Sequence, residues 1–252
     1  MALEFSIRKA GHSILTLEDW QEVAPHPGTA GTGARQVSGA VEEFARLFFN
    51  HEGRVQVPQT LGRLLTTHAG LGAVTLQSMI PEYLIALDAA PGSSQRFDAV
   101  AIGTCREGRV AVSQHARIEE GFGPLISNLL KRGKPGSQWA ARATRLAAAV
   151  TGRPLEKCGS LRGDMLRLTA AALRVAEAEK AAVAVLVFHG FRPKNTRTPQ
   201  VKRDADDLDA FAKVLGGKPL REGFLTGPFR VPGGHEVPAS VPLYLGKIVT
   251  LL

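Results

Sequence analysis

The sequence is poor in cysteine and contains no long apolar run. Its two cysteines, Cys105 and Cys158, lie far apart along the chain and do not form the paired spacing of a zinc site. We expect reduced thiols, because a lone pair in a chain without an export signal is typical of a reducing compartment. The longest clean apolar run, Ala181–Phe188, is far shorter than the ~20 residues of a membrane-spanning helix. The composition therefore argues against a cysteine-based metal site and a helical membrane protein.

Signals for export and for several enzyme classes are also missing. Residues 1–9 alternate apolar and polar side chains and lack the apolar core of a secretory signal, so we expect a cytoplasmic protein. The sequence has no G-x-S-x-G motif of a serine hydrolase. The glycines of Pro25–Arg35 follow no predicted strand and precede no Gly-Lys-Ser/Thr, so this segment is predicted to be a linker loop rather than a phosphate-binding loop.

The net charge of +8 is concentrated in one part of the chain. Residues 101–203 contain 19 Lys and Arg against 7 Asp and Glu, a net charge of +12, whereas the remainder has a net charge of −4. A basic segment of this kind is typical of a protein that binds a polyanion such as nucleic acid. The alternative is a solvated basic surface in an arginine-rich protein.

Five segments in the middle of the chain predict the core of the fold. Tyr83–Asp88, Phe97–Cys105 and Val110–Ile118 are separated by short turns, which favours an antiparallel three-stranded meander. Leu161–Lys180 has the apolar spacing of a long helix. Ala181–Phe188 does not alternate, which is typical of a strand buried on both faces.

The flanking segments complete the predicted element order. Leu3–Ile7 and Ser13–Leu17 are predicted to form a short hairpin, residues 191–203 a basic loop and Val241–Leu252 a last strand. The remaining predicted helices are Ser38–Asn50, Val57–His68, Phe122–Lys131, Gln138–Thr151 and Asp204–Gly217.

We predict one domain over residues 1–252. It consists of an N-terminal hairpin and loop at 1–37, a core at 38–215 with a helical insertion at 122–152, and a C-terminal extension at 216–252.

A series of short motifs resembles a known group of proteins. The third predicted strand continues into QHARIEEGFG, Gln114–Gly123. Taken in order, the motifs resemble an uncharacterised group of bacterial proteins with a PD-(D/E)XK nuclease-like core, whose third strand reads approximately V-E-G-K-V-D-E-P-F-G. The resemblance covers most of the chain, and the ordered series rather than any single motif carries it. The other motifs are Glu18–Trp20, Ser38–Ala45, Pro81–Glu82, Ser93–Gln95, Thr169–Ala178, Val187–Phe191 and Asp206–Gly216.

The resemblance implies a fold class and a reaction. The fold is α/β (α+β), a restriction-endonuclease-like core with a central mixed sheet flanked by helices. The reaction is metal-dependent phosphodiester cleavage by an Asp on the second core strand and a D/E-x-K triplet on the third. In this chain the corresponding residues are Asp98 and the triplet His115-Ala116-Arg117.

The sequence departs from the family pattern at the residues of the reaction. His115 stands at the position of the acid and Arg117 at that of the Lys, while the helix motif Y-Q-L-L-H-R-T reads GDMLRLT at Gly163–Thr169. Asp164 and Arg167 thereby replace the Gln and the His. Mg²⁺ prefers hard oxygen ligands, so an imidazole replaces a carboxylate poorly. An arginine keeps the positive charge and can bind phosphate, but it cannot serve as a base.

These departures leave three functional hypotheses. We expect a catalytically degenerate nuclease-like protein that binds nucleic acid through a basic face and needs no cofactor. The second hypothesis is an active nuclease that uses Mg²⁺ or Mn²⁺, in which Glu119 on the same strand face takes over from the missing acid and binds the metal with Asp98. The third is a non-enzymatic subunit that binds an acidic protein partner. The candidate catalytic residues are Asp98, His115, Arg117 and Glu119.

Basic residues of the 101–203 segment are the candidates for contacts with nucleic acid. DNA is favoured over RNA, and binding is expected to be independent of sequence because no motif for reading base edges is present. No membrane partner is expected. A metal site formed by His115 and His189 is a further alternative, although a buried, hydrogen-bonded role is favoured for His189. The candidate nucleic-acid-binding residues are Arg117, Lys131, Arg132, Lys134, Lys194, Arg197, Lys202 and Arg203.

Overall fold

The computed structural model describes residues 5–23, 39–89, 93–118, 121–132, 137–194 and 198–252. Within these ranges eight strands form one mixed sheet, and helices cover both of its faces. The strands are β1 (Ser6–Lys9), β2 (His12–Ser13), β3 (Thr75–Ala86), β4 (Ser94–Cys105), β5 (Gly108–Ile118), β6 (Val183–Arg192), β7 (Leu225–Phe229) and β8 (Leu243–Leu251). The helices are α1 (Leu17–Val23), α2 (Gly39–Arg46), α3 (Gln59–Thr66), α4 (Ile126–Arg132), α5 (Gln138–Thr151), α6 (Gly163–Ala178) and α7 (Thr198–Val214), with a 3₁₀ turn at Leu155–Cys158.

The sheet combines a meander with a parallel block. The strand order is β2-β1-β3-β4-β5-β6-β8-β7. Strands β3, β4 and β5 pair antiparallel, whereas β5, β6 and β8 run parallel to one another. A parallel connection needs a long crossover, which the helices α4 to α6 provide between β5 and β6.

Two apolar layers hold the helices on the sheet. Helices α5, α6 and α7 pack on one face, where Phe188 and Phe211 belong to the same buried cluster. Helices α1, α2 and α3 pack on the other face around Trp20, Phe44 and Phe48. Strand β6 carries buried side chains toward both layers, as its unbroken apolar run predicts.

The structure confirms the mixed α and β architecture with a central sheet flanked by helices. The predicted meander is confirmed, and the predicted bounds of α5 are confirmed at both ends. In the described part of the chain, none of the helices has the length and apolarity needed to cross a membrane. The predicted loop at 25–35 lies outside the described residues.

Several predicted boundaries were wrong. Strand β3 begins at Thr75 rather than Tyr83, and Leu17 begins a helix instead of ending a hairpin strand. Helix α4 begins at Ile126, four residues later than predicted. The predicted basic loop at 191–203 is also wrong in part, because its last residues, from Thr198 onward, form the start of α7.

Residues 216–252 contribute two strands to the sheet. Strand β8 lies between β6 and β7 and pairs with β6 over nine residues, from Ala184↔Leu243 to Arg192↔Leu251. The segment predicted as a C-terminal extension therefore contains an internal strand of the sheet. Strand β7, which the sequence pattern did not predict, pairs antiparallel with β8.

The packing predicts opposite effects for two glycine-to-alanine substitutions. In β4, an added Cβ at Gly103 would lie 2.2 Å from the carbonyl oxygen of Thr75, so Gly103→Ala forces the backbone of β3 to move. We expect Gly103→Ala to lower the free energy of unfolding by about 2–3 kcal/mol. In α3, nothing lies within 4 Å of an added Cβ at Gly62. Gly62→Ala should leave stability unchanged or raise it by up to ~1 kcal/mol.

Urea denaturation of both variants and the parent protein measures these changes. Equal effects of the two substitutions would contradict the close approach of β3 and β4 at Gly103.

Candidate functional site

Beside the predicted site, the alternation of side chains between the two faces of the sheet shifts by one residue in both β3 and β4. Glu82 has a φ of +50°, and the pairs Pro81↔Ala99 and Tyr83↔Phe97 flank it in register. In β4, Ala99 belongs to the cluster around Trp20, whereas Phe97 belongs to the cluster on the α6 side. The switch therefore lies at Glu82 in one strand and at Asp98 in the next.

The switch releases Asp98 from the ladder between β4 and β5. The last paired residues are Ala99 and Gln114, although β5 continues to Ile118. Beyond that pair, the Oδ2 atom of Asp98 accepts a 2.7 Å hydrogen bond from the backbone N–H of Ala116. Asp98 is 5% exposed, so its carboxylate serves as an internal acceptor at the point where the two strands separate.

His115 lies directly beside this carboxylate. Its Nδ1 atom is 3.4 Å from Oδ2 of Asp98, and its side chain keeps 16% of its surface exposed. The exposed part faces a pocket of about 250 Å³, which we call the β5 pocket. The lining of this pocket comes from β4, β5, α6 and the segment after β5, and it consists of Gln95, His115, Arg117, Gly121, Phe122, Asp164, Arg167 and Leu168.

The β5 pocket brings together three segments that are distant in sequence. His115 and Arg117 belong to the third-strand triplet, and Asp164 and Arg167 belong to the helix motif. At both motifs the sequence differs from the pattern of the group that it resembles. Gln95 belongs to a third motif of the resemblance. The structure thus brings residues from all three segments to one site, beside Asp98.

Arg117 is held inside the protein rather than extended into solvent. It is 6% exposed, and its Nη2 atom lies 2.6 Å from Oδ2 of Asp204 in α7. Its guanidinium carbon is 3.5 Å from the ring centroid of Phe122, a cation–π contact. Arg117 therefore links β5 to α7 and to the segment after β5.

A second arginine links α7 to the same segment. Arg162, just before α6, donates from Nε to Oδ2 of Asp207 at 2.8 Å and from Nη1 to the carbonyl of Gly123 at 3.0 Å. Gly123 has a φ of +69°, and an added Cβ would lie 2.5 Å from a carboxylate oxygen of Asp164. The wall of the β5 pocket is thus fixed by ion pairs and by close packing.

His189 is buried in the opposite face of the sheet. It is 2% exposed, its Nε2 atom is 2.9 Å from Oγ1 of Thr250, and its ring stacks on Phe191 with the centroids 4.5 Å apart. Burial lowers the pKa of His189 to about 4, although the charge of Asp98 opposes this shift. The prediction of a buried, hydrogen-bonded histidine is confirmed. In the sheet register Phe188, not His189, lies beside His115, so the two histidines occupy opposite faces.

The candidate basic residues lie at several places on the surface. Lys131 is exposed in the last turn of α4, and Lys194 is exposed just after β6. Lys202 and Arg203 are exposed in α7, where Nζ of Lys202 lies 2.6 Å from Oδ2 of Asp206.

The remaining candidates have no described side chains. Glu119, Lys134 and Arg197 lie outside the described residues, as does the side chain of Arg132. Their predicted roles stay predictions.

The described side chains do not fit a Mg²⁺ or Mn²⁺ ion. Among the residues that the structure describes, no three His, Cys, Asp or Glu side chains come together in a group that could hold a metal. The carboxylate of Asp98 accepts the N–H of Ala116, and its neighbour is an imidazole rather than a second carboxylate. Hard cations bind through several oxygen ligands, which this pair lacks.

The partners of Arg117 are not among the residues that the sequence patterns predict for the site. Asp204 and Phe122 complete its surroundings, and Asp207 does the same for Arg162. The spacing of Asp204 and Asp207 is the signal that could have found them. Residues three apart share a helix face, so two acids at this spacing indicate a face that meets basic groups.

Comparison with known proteins gives a family but no activity. A family model described as a domain of unknown function, DUF6946, matches residues 13–251. A search of curated proteins and a search of solved structures each found no match.

Two ion pairs on α7 differ in burial, so removal of the cation is expected to have a different effect on stability in each pair. Arg117→Gln leaves Asp204, whose side chain is 20% exposed, beside a buried uncharged group, and should lower the free energy of unfolding by about 2–3 kcal/mol. Lys202→Gln removes an exposed pair, whose side chains are 74% and 61% exposed, and should cost less than about 0.5 kcal/mol.

Chemical denaturation at neutral pH compares the two variants. If Arg117→Gln is no more destabilising than Lys202→Gln, Arg117 does not anchor α7.

Proposed function

The chain belongs to the DUF6946 family, and we propose that it is a nuclease-like protein that binds nucleic acid without metal-dependent cleavage of the strand. The observation that carries this proposal is the β5 pocket. It gathers His115, Arg117, Asp164 and Arg167, the four residues at which the sequence departs from the pattern of the PD-(D/E)XK nuclease-like group.

The chemistry of the pocket supports binding over cleavage. Cleavage with a metal needs carboxylates that are open to the ion. The carboxylate of Asp98 is instead buried against Ala116 and His115. Two arginines line the same pocket, with Asp164 offsetting part of their charge. Guanidinium groups suit phosphate because they donate several hydrogen bonds in one plane.

Arg167 is the cation of the pocket that is placed to meet a ligand. Its side chain is 43% exposed, its Nη1 atom is 3.9 Å from Oδ1 of Asp164, and its Nη2 atom is 3.5 Å from the carbonyl of Ser94. Both distances are long for hydrogen bonds, so these contacts hold the side chain weakly. Arg117, by contrast, is engaged with Asp204 at 2.6 Å. The proposal therefore assigns phosphate binding to Arg167 together with the exposed lysines of the basic segment.

Binding to nucleic acid is expected to depend on salt and on the basic segment. Because lysines and arginines displace counterions from phosphates, log affinity should fall linearly with log salt, by ~0.9 for each contact on duplex DNA. Replacing Lys131, Arg132 and Lys134 by Ala should weaken binding to all sequences and flatten this slope. Arg167→Gln should act in the same direction. Fluorescence anisotropy with labelled mixed-sequence oligonucleotides, duplex and single-stranded, measures both effects.

A matched control removes the same charge elsewhere. Lys218, Arg221 and Arg230 are exposed and lie outside residues 101–203, so their replacement by Ala should change affinity less than the first triple substitution. Absence of binding to any oligonucleotide near physiological salt would refute the proposal and favour an acidic protein partner.

Cleavage is expected to be absent. With Mg²⁺ or Mn²⁺, the protein should not cut plasmid, linear or single-stranded DNA above the level of an Asp98→Asn variant, because the described residues lack an oxygen-rich ligand set. Asn is the appropriate control since its side-chain oxygen can still accept the hydrogen bond from Ala116. Metal-dependent nicking that disappears in Asp98→Asn would favour the alternative in which Glu119 supplies the second carboxylate. Gel analysis of the products decides between the two.

A further inference from the structure

An apolar groove lies between three helices next to the β5 pocket. It has a volume of about 400 Å³, within the range of roughly 300–1,000 Å³ that is usual for sites that bind small molecules. We call it the helical groove. Its apolar lining comes from α4, α5, α6 and the segment just before α4, and it includes Pro124, Ile126, Leu129, Trp139, Leu146 and Leu166.

The helical groove and the β5 pocket share two residues. Asp164 and Arg167 line both spaces, so the apolar groove opens beside the exposed guanidinium of Arg167. A second arginine of the groove, Arg142, is held by Asp88 at 3.0 Å. The apolar surface of the groove thus adjoins Arg167, whose contacts with Asp164 and Ser94 are too long to be strong hydrogen bonds.

Trp139 gives the groove an exposed aromatic surface. It is 36% exposed at the second position of α5, whereas the other tryptophan, Trp20, is 1% exposed and packs against Phe44 and Phe48. An indole face accepts a nucleobase because every base has a flat aromatic surface, and such stacking is largely independent of sequence.

We infer that the helical groove binds an unpaired base of a nucleic-acid strand, stacked on Trp139, while the adjoining phosphate binds Arg167. This inference rests on the proposed function and names its ligand as single-stranded nucleic acid. The bases of a duplex are stacked inside the helix and cannot enter a groove of this kind without unpairing. Charge complementarity with Arg167 selects a phosphate-bearing ligand over a neutral apolar one.

The inference predicts that Trp139 matters for single strands alone. Trp139→Ala should weaken binding of a mixed-sequence single-stranded oligonucleotide by about tenfold, and Trp139→Phe should retain most of the affinity. Neither variant should change the affinity for the duplex of the same sequence. Phe224→Ala removes another exposed aromatic side chain, one that also has an arginine over its ring, and should affect neither ligand. If Trp139→Ala does not fold, Trp139→Leu replaces it, since it keeps apolar packing without the ring.

Tryptophan fluorescence gives an independent readout. Saturation with the single strand should protect Trp139 from quenching by acrylamide, and the duplex should not. In Trp139→Phe the signal comes only from the buried Trp20, so the single strand should leave it unchanged.

The outcomes separate this inference from the proposed function. Binding of single strand and duplex that is unaffected in Trp139→Ala would overturn the inference and leave the proposed function standing. Equal weakening of both ligands in Trp139→Ala would also overturn it, because the tryptophan would then not recognise an unpaired base. Absence of binding by the parent protein to either oligonucleotide would refute the proposed function itself.

Discussion

The hydrogen bond from the backbone of Ala116 to the carboxylate of Asp98 is the interaction on which the site depends. The ladder between β4 and β5 ends at Ala99 and Gln114, and a buried N–H left without an acceptor costs free energy. Asp98 supplies that acceptor from a side chain instead of the backbone. Strand β5 can therefore leave β4 and continue along β6, which brings His115 and Arg117 to the pocket beside α6.

Arg117 connects β5 to the other elements that form the wall of the β5 pocket. Its contacts with Asp204 and Phe122 tie the strand to α7 and to the segment that leads into α4, and Arg162 ties the same segment to Asp207. A lysine, which the resemblance implies at this position, has neither the planar fork nor the flat face that these contacts use. Arg117 thus forms a fixed link between strand and helix that a lysine ammonium could not form in the same way.

The parts of the fold that depend on local patterns could be predicted from the sequence. The meander, α5 and the doubly buried β6 show regular spacing, and the structure contains all three. The sequence pattern predicts the start of β3 too late because Pro81 interrupts the strand pattern. Proline is tolerated in a strand where its missing N–H is not needed for pairing. Strand β1 pairs only with Ser78 and Met79 of β3, so Pro81 lies beyond the part of β3 that is paired with β1. The sequence pattern predicts the start of α7 too late because Pro199 is typical of a loop, although proline is well tolerated in the first turn of a helix.

The sequence predicts some of the residues that belong to the candidate site, but not how these residues are arranged. Strand period places His115 and Arg117 on one face, and the meander brings Asp98 near them. Glu82, which faces Asp98 in the register of the neighbouring strand, has a left-handed conformation, and no local pattern around Asp98 indicates that the strands change faces there. The meeting with Asp164 and Arg167 likewise depends on how α6 packs on the sheet. The residues that meet are two arginines, an imidazole and the carboxylate of Asp164, next to the carboxylate of Asp98, which is already hydrogen-bonded inside the protein. Among the described residues, this set combines guanidinium groups, which suit phosphate, with few oxygen ligands for a hard cation, and the proposal of nucleic-acid binding rests on this chemistry.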